Sequence, residues 1–352
     1  MKKSFGDGKM FNGEPDFGEL LKVLNKKAPT RPVLFEFFMN QPLYEKMAAP
    51  DAVAKNKDWK MSQLDPVEIY AFRNAGYDYV TCAGCDMTFL EEVERKETIS
   101  LNYGHAIVDR ASFEAHKWPD PDSYDYSRLD RAKDILPKGM KLIVYGPGGV
   151  FEDVIALVGF DRLMMLLIDD PDLVQEMFDA VGQRLVRYYQ IAASYDSVGA
   201  LISNDDWGFK TQTMLSPDQF RRFIFPWHKK IVETIHAAGK PVILHSCGNL
   251  EKIMDDIIYD IKYDAKHSYE DEITPVEEAY ERWGGKIAIL GGIDVDFLCR
   301  SSSEQIKARC EAMLARTKER GGYALGTGNS VPEYIPSESY FALISAALEK
   351  RE

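Results

Sequence analysis

Short apolar runs recur along the chain, and each stops abruptly at polar residues. They are Val33–Phe38, Tyr79–Ala83, Leu142–Tyr145, Val198–Ser203, Val242–His245, Ile261–His267, Ile287–Leu290 and Tyr323–Gly326. Several are continuous rather than alternating, which predicts strands covered on both faces, as in a parallel sheet. Longer stretches with helical spacing lie between them. One opens at Asp170–Pro171, a cap followed by proline in the first turn, and keeps Leu173, Met177, Val181 and Leu185 on one face. Another opens at Ser216–Pro217 and carries Phe220, Ile224, Trp227, Ile231 and Ile235 as one stripe. Gly239 stops it, and Pro226 should kink it. A third runs through Glu304–Arg320 to Gly321–Gly322.

Eight strand-and-helix units predict an α/β fold, a (β/α)8 TIM barrel, with a doubly wound open sheet as the alternative. The barrel is favoured because polar groups follow the strand ends: Asn204–Asp205–Asp206, His245–Ser246–Cys247, His267, Asp294 and Asn329. In a barrel these ends converge on one mouth. Residues 1–16 read as a loose arm and residues 17–352 as a single domain. Thr98–Asp130, polar and proline-containing, reads as an insertion between the second and third strands.

Composition narrows the class. A net charge of −13 argues against a nucleic-acid surface and against anionic lipid. No uncharged apolar run is long enough to span a membrane, and the N-terminus lacks the apolar core of a signal peptide. Five cysteines, odd in number and scattered, fit a reducing cytoplasm.

The stretch PVILHSCGN, residues 241–249, is the most chemically loaded. His245 and Cys247 are good zinc ligands, and residues i and i+2 of a strand point the same way. Two ligands are not a complete site, so a buried strand end remains the other reading. In ISNDDWG, residues 202–208, a carboxylate can serve as ligand, base or electrostatic stabiliser. Neighbouring aspartates point differently, so one of the two is expected to face the mouth. In DAKHSYED, residues 264–271, His267 is a candidate ligand or acid/base, and histidine is scarce, with six in the chain. GGID (291–294) and GTGNS (326–330) are glycine-rich strand ends without nucleotide-loop spacing. YGPGG (145–149) either offers N–H groups to an anion or is a plain turn into a helix. Cys82 and Cys85 read as core or loop thiols, Cys299 and Cys310 as structural, and His228 and His236 as packing or surface residues.

FGELLKVLNKKAPTRPVLFEF, YGPGGVFED, LLIDDPDLVQEMFDAV, DDWG with LSPDQFRRFIFPWHKKI, GKPVILHSCGN and IAILGGIDVDFL stand in an order that resembles the uroporphyrinogen decarboxylase superfamily, from about Phe17 to the C-terminus. Within it the chain looks like the cobalamin-dependent methyltransferase and demethylase branch. The resemblance implies a (β/α)8 barrel with its active site at the C-terminal mouth. True decarboxylases carry an arginine-containing motif on the first strand, whereas FFMNQPLYEK stands here, with no arginine between Arg31 and Arg73. A polycarboxylate substrate would lack its clamp.

The methyltransferase branch binds zinc through His-x-Cys and a distant cysteine. The resemblance assigns His245 and Cys247 as metal ligands, but places Asn329 where the last cysteine would stand. A carboxylate or His267 then completes the shell, or the pocket works without metal. On this reading Asp205, His267 and Asp294 are the candidate catalytic residues, and Asp86, Tyr145 and Asn329 the candidate substrate-binding residues. The expected partners are a small methylated substrate and a separate corrinoid protein supplying the corrinoid cofactor, with a homodimer left open. The alternative activity is a metal-free, uroporphyrinogen decarboxylase-like lyase acting on a smaller carboxylic acid.

Overall fold

A computed structural model of the protein describes residue 11 and residues 13–48, 64–90, 101–102 and 106–351. Most of the N-terminal arm and part of the Thr98–Asp130 segment therefore lie outside the described residues. Phe11 docks through its N–H on the Asn74 carbonyl and lies under the Arg351 guanidinium.

Among the described residues seven strands form one sheet: β1 (Tyr79–Ala83), β2 (Lys141–Tyr145), β3 (Val198–Asn204), β4 (Val242–His245), β5 (Ala265–His267), β6 (Ala288–Leu290) and β7 (Tyr323–Ala324). They are hydrogen-bonded in chain order, every pair parallel. A curled parallel sheet wrapped in helices is the barrel-like α/β architecture that the apolar runs imply.

Two predicted strands differ most. Ile261–His267 shortens to β5, because Ile261 ends a π-helical turn, Asp256–Ile261, and Lys262 turns the chain at φ 69°. Val33–Phe38 does not form a ladder strand. On one side Leu34 bridges Leu325 and Met39 bridges Val331. On the side facing β1, hydroxyl groups take over. Tyr79 Oη accepts from the Glu36 N–H and donates to the Glu36 carbonyl, both at 2.7 Å. Thr81 Oγ1 donates to the Phe37 carbonyl at 2.7 Å. These bonds on both sides join the segment to the ends of the sheet without a continuous ladder.

The helices follow their signals. Asp170 caps Pro171–Ala193, accepting from the Leu173 N–H, and Leu173, Met177, Val181 and Leu185 are buried. Ser216 and Gln219 form a capping box at the start of the next long helix. Pro226 has no N–H to offer, and the helix accommodates it by slipping into π register, with the Phe225 N–H on the Phe220 carbonyl. In the Thr98–Asp130 segment the described residues include a short helix, Arg110–Ala115, and a 3-10 turn, Pro121–Ser123.

Candidate functional site

The exits of β3, β4 and β5 are adjacent and laced by backbone bonds. The Asp205 N–H donates to the His245 carbonyl and the Ser246 N–H to the His267 carbonyl, each at 2.9 Å. The turns after β3 and β4 touch through two glycines. A Cβ on Gly248, whose φ is +83°, would stand 2.1 Å from the Gly208 carbonyl oxygen. Only glycine lets DDWG and HSCGN approach this closely.

The two aspartates of DDWG part company here. Asp205 turns away from the mouth and is fully buried. Its carboxylate accepts from the Phe151 and Glu152 N–H groups at 2.9 Å and bonds His228 Nε2 at 2.8 Å. His228 Nδ1 continues to Tyr263 Oη at 2.7 Å. Asp205 thus occupies the N-terminus of helix Val150–Val158, so the helix after YGPGG spends its first N–H groups on an anion of the chain itself. The structure places Asp205 where it positions this helix and His228.

Asp206 faces the other way. One carboxylate oxygen of Asp206, one ring nitrogen of His245 and Cys247 Sγ lie within 4.8 Å of one another. His245 Nε2 is 3.8 Å from Cys247 Sγ, and Asp206 Oδ1 also accepts from the Cys247 N–H at 2.8 Å. Burial lowers His245 to about 4, so its imidazole is neutral and carries a lone pair on one of its two ring nitrogens. Burial, reinforced by the Asp206 carboxylate, raises the Cys247 thiol well above its usual range. A metal would have to displace that proton. These donors suit zinc: tetrahedral bonds of about 2.0 Å to nitrogen and about 2.3 Å to sulfur put the two atoms roughly 3.5 Å apart.

Around this trio the structure gathers two more predicted residues. His245 Nδ1 and His267 Nδ1 are 2.8 Å apart, so one ring donates to the other. His267 is buried against Phe35, and burial holds it well below its ordinary pKa. Asn329 Nδ2 donates to Cys247 Sγ at 3.4 Å. The wall is aromatic, with Phe37 packed on both His245 and Tyr145.

Asp294 and Asp86 are not brought into the cluster. Asp294 caps helix Val295–Arg300 and accepts from the Phe297 and Asp271 N–H groups at 3.0 and 2.9 Å. Asp86 is exposed and ion-paired with the buried Arg128. Cys82, Cys85 and Cys310 are buried free thiols, whereas Cys299, read as structural, is exposed. Sequence reasoning passed over two buried charges, Glu36 and Lys266. Glu36 carried a signal, since it interrupts the apolar run Val33–Phe38 with a charge, whereas Lys266 sits among other polar residues of its segment.

Residues 73–349 match the family described as uroporphyrinogen decarboxylase (URO-D). The chain belongs to the uroporphyrinogen decarboxylase family. Among its relatives within that family, a methylated-thiol--coenzyme M methyltransferase of Methanosarcina mazei is 23% identical over 50% of this chain and 46% of its own length. A uroporphyrinogen decarboxylase of Prochlorococcus marinus is 26% identical over 51% of this chain and 49% of its own length. The chain thus spans about half the length of the curated relatives it matches. Among solved structures, a methyltransferase from Methanosarcina mazei superposes with TM-score 0.70 at 17% identity, covering 97% of this chain and 100% of its own. That likeness establishes the shared fold. Among the described residues no helix is long and apolar enough to cross a membrane.

Proposed function

We propose that the chain is a methyltransferase that moves a methyl group between a small methylated substrate and a corrinoid carried by a separate protein, with zinc held by Asp206, His245 and Cys247. The observation that carries this reading is the convergence of those three donor atoms within 4.8 Å at the exits of β3 and β4. The methyltransferase among the relatives supports it.

Zinc held there would supply Lewis-acid polarisation of the heteroatom bearing, or receiving, the methyl group. The chain's own residues do the rest. His245 presents Nε2 because its other nitrogen is engaged by His267, which fixes ring orientation. Asn329 steadies the Cys247 sulfur. Phe37 and Tyr145 form an apolar wall suited to a methyl group rather than a polyanion. Asp206, rather than Asp205, supplies the carboxylate. The competing lyase reading draws on the decarboxylase relatives and assigns the same cluster to a metal-free pocket.

Two measurements separate these readings. Protein purified without chelator should carry about one equivalent of zinc, falling below roughly a tenth in His245→Ala and Cys247→Ala. Methyl transfer to free cobalamin is then assayed with methyl thiols, methylamines and methyl ethers. Absence of zinc in the wild type, or methyl transfer that survives in a variant carrying both His245→Ala and Cys247→Ala, would sink the metal-assisted reading. Release of carbon dioxide from small acids without any methyl transfer would establish the lyase instead.

A further inference from the structure

Lys266 and His267 are consecutive on β5, so their side chains point to opposite faces of the sheet. His267 belongs to the cluster described above. Lys266 takes the other face, and only 4% of it is exposed. Its ammonium donates to the Ser268 carbonyl at 2.6 Å and the Ser246 carbonyl at 3.3 Å, and stands 4.4 Å from the centre of the Tyr269 ring. A lysine is rarely buried without a carboxylate partner. Among the described residues Lys266 has none in direct contact; Asp206 and Glu270 act on it only at longer range.

Lys266 lines a small pocket of about 30 Å3 bordered by Asn249, Met254, Glu270, Ile273 and Trp283. That room suits the polar head of a ligand whose body lies outside it. Tyr269 Oη, on a further lining residue, is buried without a hydrogen-bond partner among the described residues. Its capacity is unused there. Glu270 is half-buried and pushed up by burial, and the charges facing it are Lys210, Asp294, Lys266 and Asp206. Lys210 is engaged by Glu272.

One small pocket therefore presents a buried cation, a half-buried carboxylate and an apolar wall. A plain carboxylate entering it would meet the like charge of Glu270, and a plain amine would meet Lys266. Only a ligand bearing both charges matches both groups. We propose that this pocket binds the charged head of a zwitterionic α-amino acid with an apolar side chain, its carboxylate towards Lys266, its ammonium towards Glu270, and its side chain leaving the pocket past Ile273 and Trp283. The inference uses no metal and does not depend on the methyltransferase reading.

Calorimetric titration of the full chain near neutral pH tests it, using leucine, methionine and the deaminated and decarboxylated counterparts of leucine. Saturable binding of leucine or methionine is expected, with each counterpart at least about tenfold weaker. Glu270→Gln and Lys266→Met should each weaken binding by about tenfold or more. Lys266 is buried and its variant can fail to fold, so Glu270→Gln, at a half-buried position, carries the decision, with circular dichroism confirming its fold. The proposal is overturned by absence of saturable binding up to about 10 mM. It is equally overturned if the deaminated counterpart binds as well as leucine, or if Glu270→Gln leaves the affinity unchanged.

Discussion

Asp205 and Asp206 are adjacent in the chain, and their carboxylates lie in two polar clusters of opposite character. The Asp205 cluster is closed. Its carboxylate, His228 and Tyr263 satisfy one another and two helix N–H groups, all out of solvent. The Asp206 cluster is open. It gathers an oxygen, a nitrogen and a sulfur around a common point, and two of its three residues are only partly buried. A saturated polar network has no capacity left for a ligand and acts as scaffold. Converging donors with lone pairs to spare are where a ligand can bind. Charge and burial alone do not tell the two aspartates apart.

The sharpest way to break this contrast is to remove each carboxylate in turn. Asp205→Ala strands His228 Nε2, the buried Phe151 N–H and the partly buried Glu152 N–H, and should lower stability by about 3–5 kcal/mol. Asp206→Ala loses one half-buried hydrogen bond to the Cys247 N–H, and should lower stability by about 1 kcal/mol while abolishing zinc retention. Urea midpoints and metal content measure the two effects. Equal destabilisation by both variants would erase the distinction between scaffold and site.

How much of this was legible beforehand depended on how local the cause was. Helix starts such as Asp170–Pro171 and Ser216–Pro217 are set by the first turn itself, and both predictions hold. The HSC pair was legible because two residues on one strand share a face. Which aspartate faces the mouth was not, because the deciding partners of Asp205, the Phe151 and Glu152 N–H groups, are more than fifty positions away in sequence. Val33–Phe38 has the composition of a strand. What denies it a ladder is the placement of the Tyr79 and Thr81 hydroxyls on a neighbouring strand, which no pattern within the segment reveals.

Glu36 lies between the two extremes. Its carboxyl is fully buried and, among the described residues, accepts only from the Thr327 N–H and hydroxyl at 2.7 and 2.8 Å and has no cation beside it. Burial raises it from its ordinary 4.5 to about 8, against the opposing pull of those two bonds. A carboxyl raised in the folded state binds its proton more tightly there than in the unfolded chain. Its stabilising effect is complete below about 4.5 and is lost as pH rises through about 8. The loss should be on the order of 5 kcal/mol. Thermal unfolding scans across this window should show a shallower decline in Glu36→Gln than in wild type. Parallel profiles would show that the Thr327 bonds, rather than protonation, accommodate the charge.

The open cluster has its own internal support, and His267 is the element to remove. His267→Phe keeps an aromatic ring against Phe35 but takes away the partner of His245 Nδ1. Zinc should be held about 10- to 100-fold less tightly, with little change in unfolding temperature. Competition with a chromogenic chelator reads the difference. Unchanged affinity would mean that packing against Phe37 alone orients His245.

The smallest expected change concerns Asn329, whose amide stands 3.4 Å from the Cys247 sulfur, at the edge of the metal cluster. Asn329→Cys places a thiol next to that sulfur. If the cluster is a zinc centre in which Asp206 supplies the ligand that a second cysteine would otherwise give, the added thiolate should tighten zinc by about tenfold. It should also make Asp206 dispensable, so that Asp206→Ala combined with Asn329→Cys regains the zinc that Asp206→Ala alone loses. The four proteins of this cycle isolate the coupling between the two positions, because a carboxylate and a thiolate competing for one place on the metal cannot act additively. Additive effects would instead mean that Asp206 and Asn329 do not share a metal. Asp206 would then belong with Asp205 as a structural carboxylate, and the contrast between the clusters would rest on His245 and Cys247 alone.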